Sequence, residues 1–357
     1  QNLYNGGITI ASVKQSELQI QASRHQLRNT ENITLSQAAI SYWDVILAEI
    51  VIDLNEQNVE RLEQSLKATE DRFEFGEVTL TDVAQAKSRL ARVKSDLTTA
   101  QGNLEIAKAR YLQYVGQEAG DLTLPDTLVL SVTTKEDALA IALRDNPAIA
   151  QVASEIEAAV QEVERQRGNL LPNLDLQVSG SITRESTTPN QSTRQADVLG
   201  ILTIPLYQRG FEESQVRQAR ESLRVTHIRH EQTSRQVRNN IAQIWAQLES
   251  ARAEGISTRQ EVESTLIALD GVREESRVGS RTVLDLLDAE QENLDAQVRF
   301  EQARRNLEVA KIQLFSVMGR YTAEDLNLSV AIHDPSEHYH QVRARVKLID
   351  FIDWPKF

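Results

Sequence analysis

The chain repeats itself, and the length of the repeat limits what it can build. Shifted by 203 positions, landmarks across residues 3–116 return in register without an insertion. Leu3 and Tyr4 return as Leu206 and Tyr207, Gly7 as Gly210, Gly76 as Gly279, Thr79 as Thr282 and Asp82 as Asp285. The run from Asn103 to Lys108 returns as Asn306 to Lys311, and Gly116 returns as Gly319. Solenoid units are about 20–50 residues long. This period is far longer, so the chain reads as two copies of one elongated half.

Composition says what each half is made of. Aromatic residues are 5% of the 357 residues, with 14 glycines, 7 prolines and one methionine, while Ala, Gln, Glu, Arg and Leu dominate the middle of each half. That bias belongs to long helices in side-by-side contact. A net charge of −13 and a pI near 5.1 argue against a nucleic-acid partner, since binding phosphates needs a basic face. With no cysteine there is no disulfide, no thiolate metal site and no cysteine nucleophile. No uninterrupted apolar run reaches about 18 residues, so no transmembrane helix is expected. Gln1-Asn2-Leu3-Tyr4 does not resemble a signal peptide. Gln1 aligns with Ile204, inside an element, so residue 1 is not expected to be the natural start, and a further strand hairpin is expected before it.

Helical spacing without proline runs from about residue 7 to residue 75, for example Leu47, Val51, Leu54, Val59, Leu62 and Leu66. A helix of that length would extend about 100 Å. It is broken at 73–82, where Gly76 suits a left-handed C′ position and Thr79 or Thr81 can cap a new helix. The return helix carries Val83, Ala86, Leu90, Val93, Leu97, Ala100, Leu104, Ala107, Tyr111 and Tyr114. Its counterpart carries Leu286, Ala289, Asn293, Ala296, Phe300, Ala303, Leu307, Ala310, Leu314 and Val317. This 3-4 spacing predicts two antiparallel coiled-coil hairpins.

Between the hairpins the sequence predicts short helices across 135–168. The period then becomes alternating. Leu174, Leu176, Val178, Gly180 and Ile182 share one side of a strand, and Val198, Gly200, Leu202, Ile204 and Leu206 share one side of a second. They form a predicted hairpin over 173–207 with a polar turn from Arg184 to Gln195. An isolated hairpin is marginal in water, so these strands need further partners. The predicted organisation is a partial first repeat at 1–125 and a second at 126–330. The second repeat has its long helix at 210–276, its tip at 276–285 and its return helix ending near 318. A tail without clear periodicity follows at 331–357.

This arrangement resembles the TolC-type outer-membrane efflux and secretion channels of Gram-negative bacteria. The resemblance is carried by Leu170 to Leu176 at the helix-to-strand passage and Ile204 to Gly210 at the strand-to-helix passage. The tips carry it most strongly, Arg72 to Gly76 with Thr81-Asp82-Val83, and Val278 to Ala289. It implies a homotrimer whose subunits each give four strands to an outer-membrane β-barrel in lipid and their helices to a periplasmic α-barrel tunnel. A periplasmic adaptor and an inner-membrane pump complete the conduit. Only two clear strands are legible in this sequence.

The resemblance also implies site residues. Thr81, Asp82 and Arg281 match a gating latch, although Ser276 stands where the family has an aromatic latch residue. Asp285 and Asp288, three apart on one helix face, match a cation-selective acidic constriction. Gly76, Val78, Thr79, Gly279, Ser280 and Thr282 match the adaptor-contacting tips. Read from the residues alone, Asp82 and Asp285 are also what a helix first turn favours, by roughly 0.3–1 kcal/mol each, and helical aspartates such as Asp285 and Asp288 commonly form a solvated face. His227 and His230 have metal-compatible spacing, but histidines on a polar helix are ordinarily surface residues, as are His333, His338 and His340. No P-loop, G-x-S-x-G or H-E-x-x-H occurs, so no enzyme, cofactor or metal is expected. The expected function is a passive exit duct for a tripartite efflux pump or type I secretion system. A periplasmic adaptor and a non-pore coiled-coil scaffold are the alternatives.

Overall fold

The computed structural model describes residues 1–184 and 192–344. Helix dominates, with one small antiparallel sheet. The elements are β1 (Asn2–Asn5), α1 (Ile8–Glu74), α2 (Leu80–Val115), α3 (Lys135–Asp145), α4 (Pro147–Gly168), β2 (Asn173–Arg184), β3 (Ser192–Thr203), α5 (Phe211–Arg277), α6 (Val283–Val317) and α7 (Pro335–Ala344). Both α1 and α5 contain 67 residues, and α2 and α6 contain 36 and 35.

Two compact units are present. One gathers the described parts of Gln1–Asn29, Asp145–Val237 and the chain from Ala331; the other comprises Thr30–Arg144 and Arg238–Val330. The first unit holds the sheet, in strand order β1-β2-β3. β2 and β3 pair in unbroken antiparallel register from Asn173 opposite Thr203 to Arg184 opposite Ser192. Leu174 opposes Leu202, and Val178 opposes Val198. Because side chains alternate across a strand, these residues share a face with Leu176 and Ile182, while Asp175, Gln177, Ser179 and Asp197 occupy the other. The apolar face is open, with Val178 70% and Val198 72% exposed. β3 ends at Thr203, two residues before Pro205, which has no N–H for the ladder. The predicted turn from Arg184 to Gln195 falls largely at 185–191, outside the described residues.

A third strand corrects the reading of two. β1 pairs antiparallel with β2, Asn5 opposite Asn173 and Tyr4 opposite Leu174, with an irregularity between Asn2 and Tyr4. Four residues, with Leu3 and Tyr4 adjacent between two asparagines, show no alternation in the sequence. At its end the chain enters α1 through Gly6 (φ +63°) and Gly7 (φ +82°). Gly6 is fixed by space as well as by dihedral angle: a Cβ there would lie 2.3 Å from the Gly168 carbonyl oxygen at the end of α4.

Within the tail, Pro335–Ala344 forms the helix α7. In α7, the Tyr339 hydroxyl lies 3.0 Å from Glu17 Oε1, and the Arg24 guanidinium sits 5.5 Å from the centre of the Tyr339 ring. These contacts join α7 to the start of α1, a long-range feature that a 10-residue helix does not announce in its own periodicity. The remainder of the tail, from 345, lies outside the described residues.

In the second unit, Leu62 of α1, Ala86 and Val93 of α2 and Leu287 of α6 form one buried cluster. Buried positions on α2 include Ala86, Val93, Ala100 and Ala107, and on α6 Ala296, Ala303 and Ala310, a spacing of seven in each helix. A second cluster joins Trp43, Ile312 and Tyr321. Close to it, Asn32 donates to the Ser316 carbonyl at 2.7 Å and accepts from the Tyr321 amide at 3.0 Å. The absence of an uninterrupted apolar run conceals one property of α1. It contains an 18-residue window apolar enough to cross a membrane by length and composition, of which 28% is buried. In the same helix Trp43, Val45 and Ile46 are buried and Asp44 binds Arg305 at 2.6 Å, so packing within the protein accounts for part of that apolar character.

Gly6→Ala is expected to destabilise the first unit by about 1–3 kcal/mol, the usual cost of a strained backbone position, with the carbonyl clash adding to it. Gly76→Ala, where a Cβ meets open space, should cost less. Denaturant unfolding of the two variants checks the order.

Candidate functional site at the helical tips

Each long hairpin turns by the same device. α1 closes with a Schellman motif: the Gly76 amide donates to the Phe73 carbonyl at 3.0 Å and the Glu77 amide to the Arg72 carbonyl at 2.9 Å. Gly76 sits at φ +75°. α5 closes identically in pattern, Gly279 (φ +79°) donating to Ser276 at 3.2 Å and Ser280 to Glu275 at 3.0 Å. The hydrophobic contact that often joins the two ends of such a motif is replaced by polar ones. Arg72 pairs with Glu77 at 3.2 Å, and the Ser280 hydroxyl donates to the Glu275 carbonyl at 2.9 Å.

A capping box starts each return helix. The Asp82 amide donates to Thr79 Oγ1 at 3.3 Å, while the Thr79 amide and hydroxyl both reach Asp82 Oδ2 at 2.8 Å. In the second tip the Asp285 amide donates to Thr282 Oγ1 at 3.2 Å, and the Thr282 amide and hydroxyl reach Asp285 Oδ2 at 3.0 and 2.8 Å. These bonds hold both carboxyls below the usual aspartate range. For Asp82 the Thr79 backbone bond contributes most, followed by the Thr79 hydroxyl and, more weakly, Arg72. For Asp285 the Thr282 hydroxyl leads, then the Thr282 backbone and Arg281.

The chain places its candidate latch residues within their own tips. Thr81 is exposed, and the Asp82 carboxylate faces Thr79. Arg281 binds Glu275 at 2.8 Å, a bond that raises its pKa, and its charge also acts on Asp285. Arg281 therefore stands between an acid at the end of α5 and one at the start of α6, as Arg72 stands between Glu77 and Asp82. Val78 is half-buried, and Gly76, Thr79, Gly279, Ser280 and Thr282 are exposed. Asp285 and Asp288 diverge in their partners. Asp285 caps its own helix, while Asp288 forms an ion pair with Arg89 of α2. Ser276 is buried.

Sequence reasoning missed Arg89, Glu275 and Glu290. The first two act through residues on another helix or across a turn. Glu290 of α6 is buried, and burial raises its pKa against the opposing influence of Arg273 and Arg61. Its heptad position could have flagged it as a charged residue beside a seam. Among the described residues no group of three or more His, Asp or Glu side chains is arranged to hold a metal.

Long helices with matched tips and a small antiparallel sheet with an open apolar face are the features that an outer-membrane channel protein of the efflux and secretion type combines. The model of the family described as "Outer membrane efflux protein" matches residues 1–117 and 138–320, and the chain belongs to that family. It is 34% identical over 346 residues to the outer membrane efflux protein BepC of Brucella suis biovar 1, covering 97% of this chain and 76% of BepC. It is 28% identical over 315 residues to the outer membrane protein TolC of Escherichia coli K12, covering 81% of this chain and 62% of TolC. Among solved structures, a membrane protein from Pseudomonas aeruginosa superposes with a TM-score of 0.80 at 16% identity, over 89% of this chain and 75% of that one. VceC from Vibrio cholerae does so at 0.76 and 19% identity, over 89% and 77%. These superpositions bear on the fold; the family match places the protein in the outer membrane as a channel of this type, a class without catalytic chemistry.

Removing either cap hydroxyl, by Thr79→Ala or Thr282→Ala, is expected to speed amide hydrogen exchange in the first turn of the return helix and to leave the rest of the hairpin unchanged. The aspartates impose a pH dependence. Because their folded pKa values lie below the unfolded ones, their contribution is complete above the ordinary aspartate range and is lost as pH falls through the depressed values. Exchange at both tips should therefore accelerate only in strong acid, and the Asp82→Asn and Asp285→Asn variants should lose that acid sensitivity.

Proposed function

We propose that the full-length protein is the passive exit duct of a tripartite efflux pump or type I secretion system. It acts as a homotrimer with its helical tunnel in the periplasm. The observation that carries this reading is the open apolar face of the sheet, in a chain that belongs to an outer-membrane channel family. A sheet in lipid must close so that no strand edge stays unpaired, and strands from several subunits can achieve this. The long helices support assembly too: Ile10, Val13, Ile20 and Leu27 of α1 lie three or seven apart and are exposed, a stripe suited to a neighbouring helix. In this reading the two repeats, 1–125 and 126–330, are antiparallel coiled-coil hairpins of an α-barrel.

Transport energy comes from an inner-membrane pump. A periplasmic adaptor meets the tips at Gly76, Val78, Thr79, Gly279, Ser280 and Thr282. Phe75 and Val278, equivalent by the repeat, are 82% and 80% exposed and give this surface its apolar content. Thr81, Asp82 and Arg281 form the latch, with Arg281 exchanging between Glu275 and an acid of a neighbouring tip as the entrance opens or closes. Asp285 and Asp288 form the acidic constriction, with Arg89 moderating its field.

Reconstitution of the full-length protein in planar bilayers tests the reading. Arg281→Ser should raise conductance with almost no change in thermal stability, since an exposed ion pair contributes about 0–1 kcal/mol. Asp285→Ala with Asp288→Ala should abolish cation preference and block by a trivalent cation, whereas Arg89→Gln should strengthen both. Wild-type selectivity in the double variant would remove these aspartates from the constriction, and a monodisperse monomer in mild detergent would remove the trimer.

A further inference from the structure

The second unit contains a cavity of about 340 Å³, a size suited to a small ligand. Its wall is rich in aromatic rings: Tyr42 and Trp43 of α1, Tyr111 of α2 and, just beyond α6, Tyr321. The Tyr42 and Tyr111 rings stand 6.3 Å apart and tilted. Buried Trp and Tyr side chains usually find a partner for their polar tips. Here Trp43 and Tyr321 are each 7% exposed, yet among the described residues neither the Trp43 indole N–H nor the Tyr321 hydroxyl makes a hydrogen bond. Burial alone pushes the Tyr321 pKa up, so the hydroxyl stays neutral and able to donate or accept.

Pro125 and Asp126 bring the segment between α2 and α3 to the cavity wall. Two ties hold it there. The Tyr42 hydroxyl donates to the Thr123 carbonyl, and the Leu128 amide donates to the Glu308 carboxylate at 3.3 Å. Glu308 also lines the cavity, but it is buried and its other oxygen accepts from Lys311 at 2.8 Å, so its charge is already matched. Asp126 is exposed and forms no ion pair among the described residues. Residues 111–134 contain Glu118, Asp121 and Asp126 and no Lys, Arg or His. The cavity therefore joins aromatic walls, two unpartnered polar tips and an acidic segment without a cation of its own. Aromatic faces and a carboxylate attract the same class of ligand, an organic cation with an apolar body. The indole N–H only donates, which adds the need for an acceptor oxygen.

We propose that this cavity binds a small organic cation, its ammonium group set against Asp126 and the aromatic walls, and its ether or carbonyl oxygen accepting from Trp43 or Tyr321. Trp43 lies about 30 residues, or roughly 45 Å of helix, before the first tip, so the site is separate from the latch and the acidic constriction. It does not depend on the channel reading, because binding is measured without transport.

The test titrates the full-length protein in lipid nanodiscs by calorimetry, with protein-free nanodiscs subtracted. The probe is phenoxyethyl trimethylammonium, which carries a ring, an ether oxygen and a fixed positive charge. Its neutral counterpart has a tert-butyl group in place of the trimethylammonium group. The cation should bind saturably at one site per chain, roughly 5-fold or more tightly than the neutral ether. Asp126→Asn should weaken the cation roughly 3-fold and leave the neutral ether unchanged. Tyr321→Phe or Trp43→Phe, which remove only a polar tip and keep a ring, should weaken both probes roughly 5-fold in at least one of the two variants. Asp126→Asn and Tyr321→Phe are near-isosteric, so unliganded thermal midpoints should stay close to wild type. Asp285→Ala with Asp288→Ala should bind the cation as wild type does. Absence of saturable binding would overturn the proposal, and equal affinity for the two probes would overturn its choice of a cation. Wild-type affinity in Asp126→Asn, Tyr321→Phe and Trp43→Phe alike, or loss of binding in the double tip variant, would overturn it by moving the cation to another place in the molecule.

Discussion

A helix of 67 residues closes its own backbone hydrogen bonds but leaves an apolar stripe that only a neighbouring helix can cover. Every later feature of this protein follows from that need. Ala86, Ala100 and Ala107 on α2, and Ala296, Ala303 and Ala310 on α6, are buried at intervals of seven. Small side chains at those positions let helices approach closely along their whole length. Helices that run back so closely leave only five residues for each turn, from Phe75 to Thr79 and from Val278 to Thr282. The Schellman glycine and the capping threonine meet that limit at both ends of the turn.

With the turn so short, the charged groups at a tip are determined by what the two helix ends bring together. Arg72 in one tip and Arg281 in the other reach an acid across the gap from opposite sides. The tips therefore share a charge pattern without sharing the residue that supplies the cation. A position-by-position comparison of the repeats, which aligns Arg281 with Val78, conceals this equivalence.

Features built from local chemistry were legible in the sequence. Gly76 acts through backbone atoms within five residues of itself, so its spacing already states its role, whereas the cap stayed open between Thr79 and Thr81 and falls to Thr79. The α2 and α6 seams were legible because the seven-residue period belongs to a single helix. Illegible were the features that depend on which elements become neighbours. Arg89 meets Asp288 nearly 200 residues away, and Leu287 meets Leu62 of α1 and Ala86 and Val93 of α2. β1 and α7 escaped for a related reason: one has four residues, the other is short and docked through Tyr339, and neither carries a period of its own. The family resemblance anticipated the class of protein, whereas the partners of Asp82, Asp285 and Arg281 within the chain are set by how each turn folds.

The entry to the two long helices shows what duplication does to a glycine. Gly6 at the start of α1 and Arg209 at the start of α5 occupy equivalent places and adopt nearly the same left-handed backbone, φ +63° and +56°. Their neighbours differ. The Gly168 carbonyl crowds Gly6, whereas the Arg209 side chain is exposed. The molecule thus carries its own control experiment, separating the two reasons for which a glycine is retained. An unusual dihedral alone does not require one at 209, where an arginine bears the strain. At position 6 the backbone of another element closes that freedom, so the two copies, alike in conformation there, are unequal in the side chains they can hold.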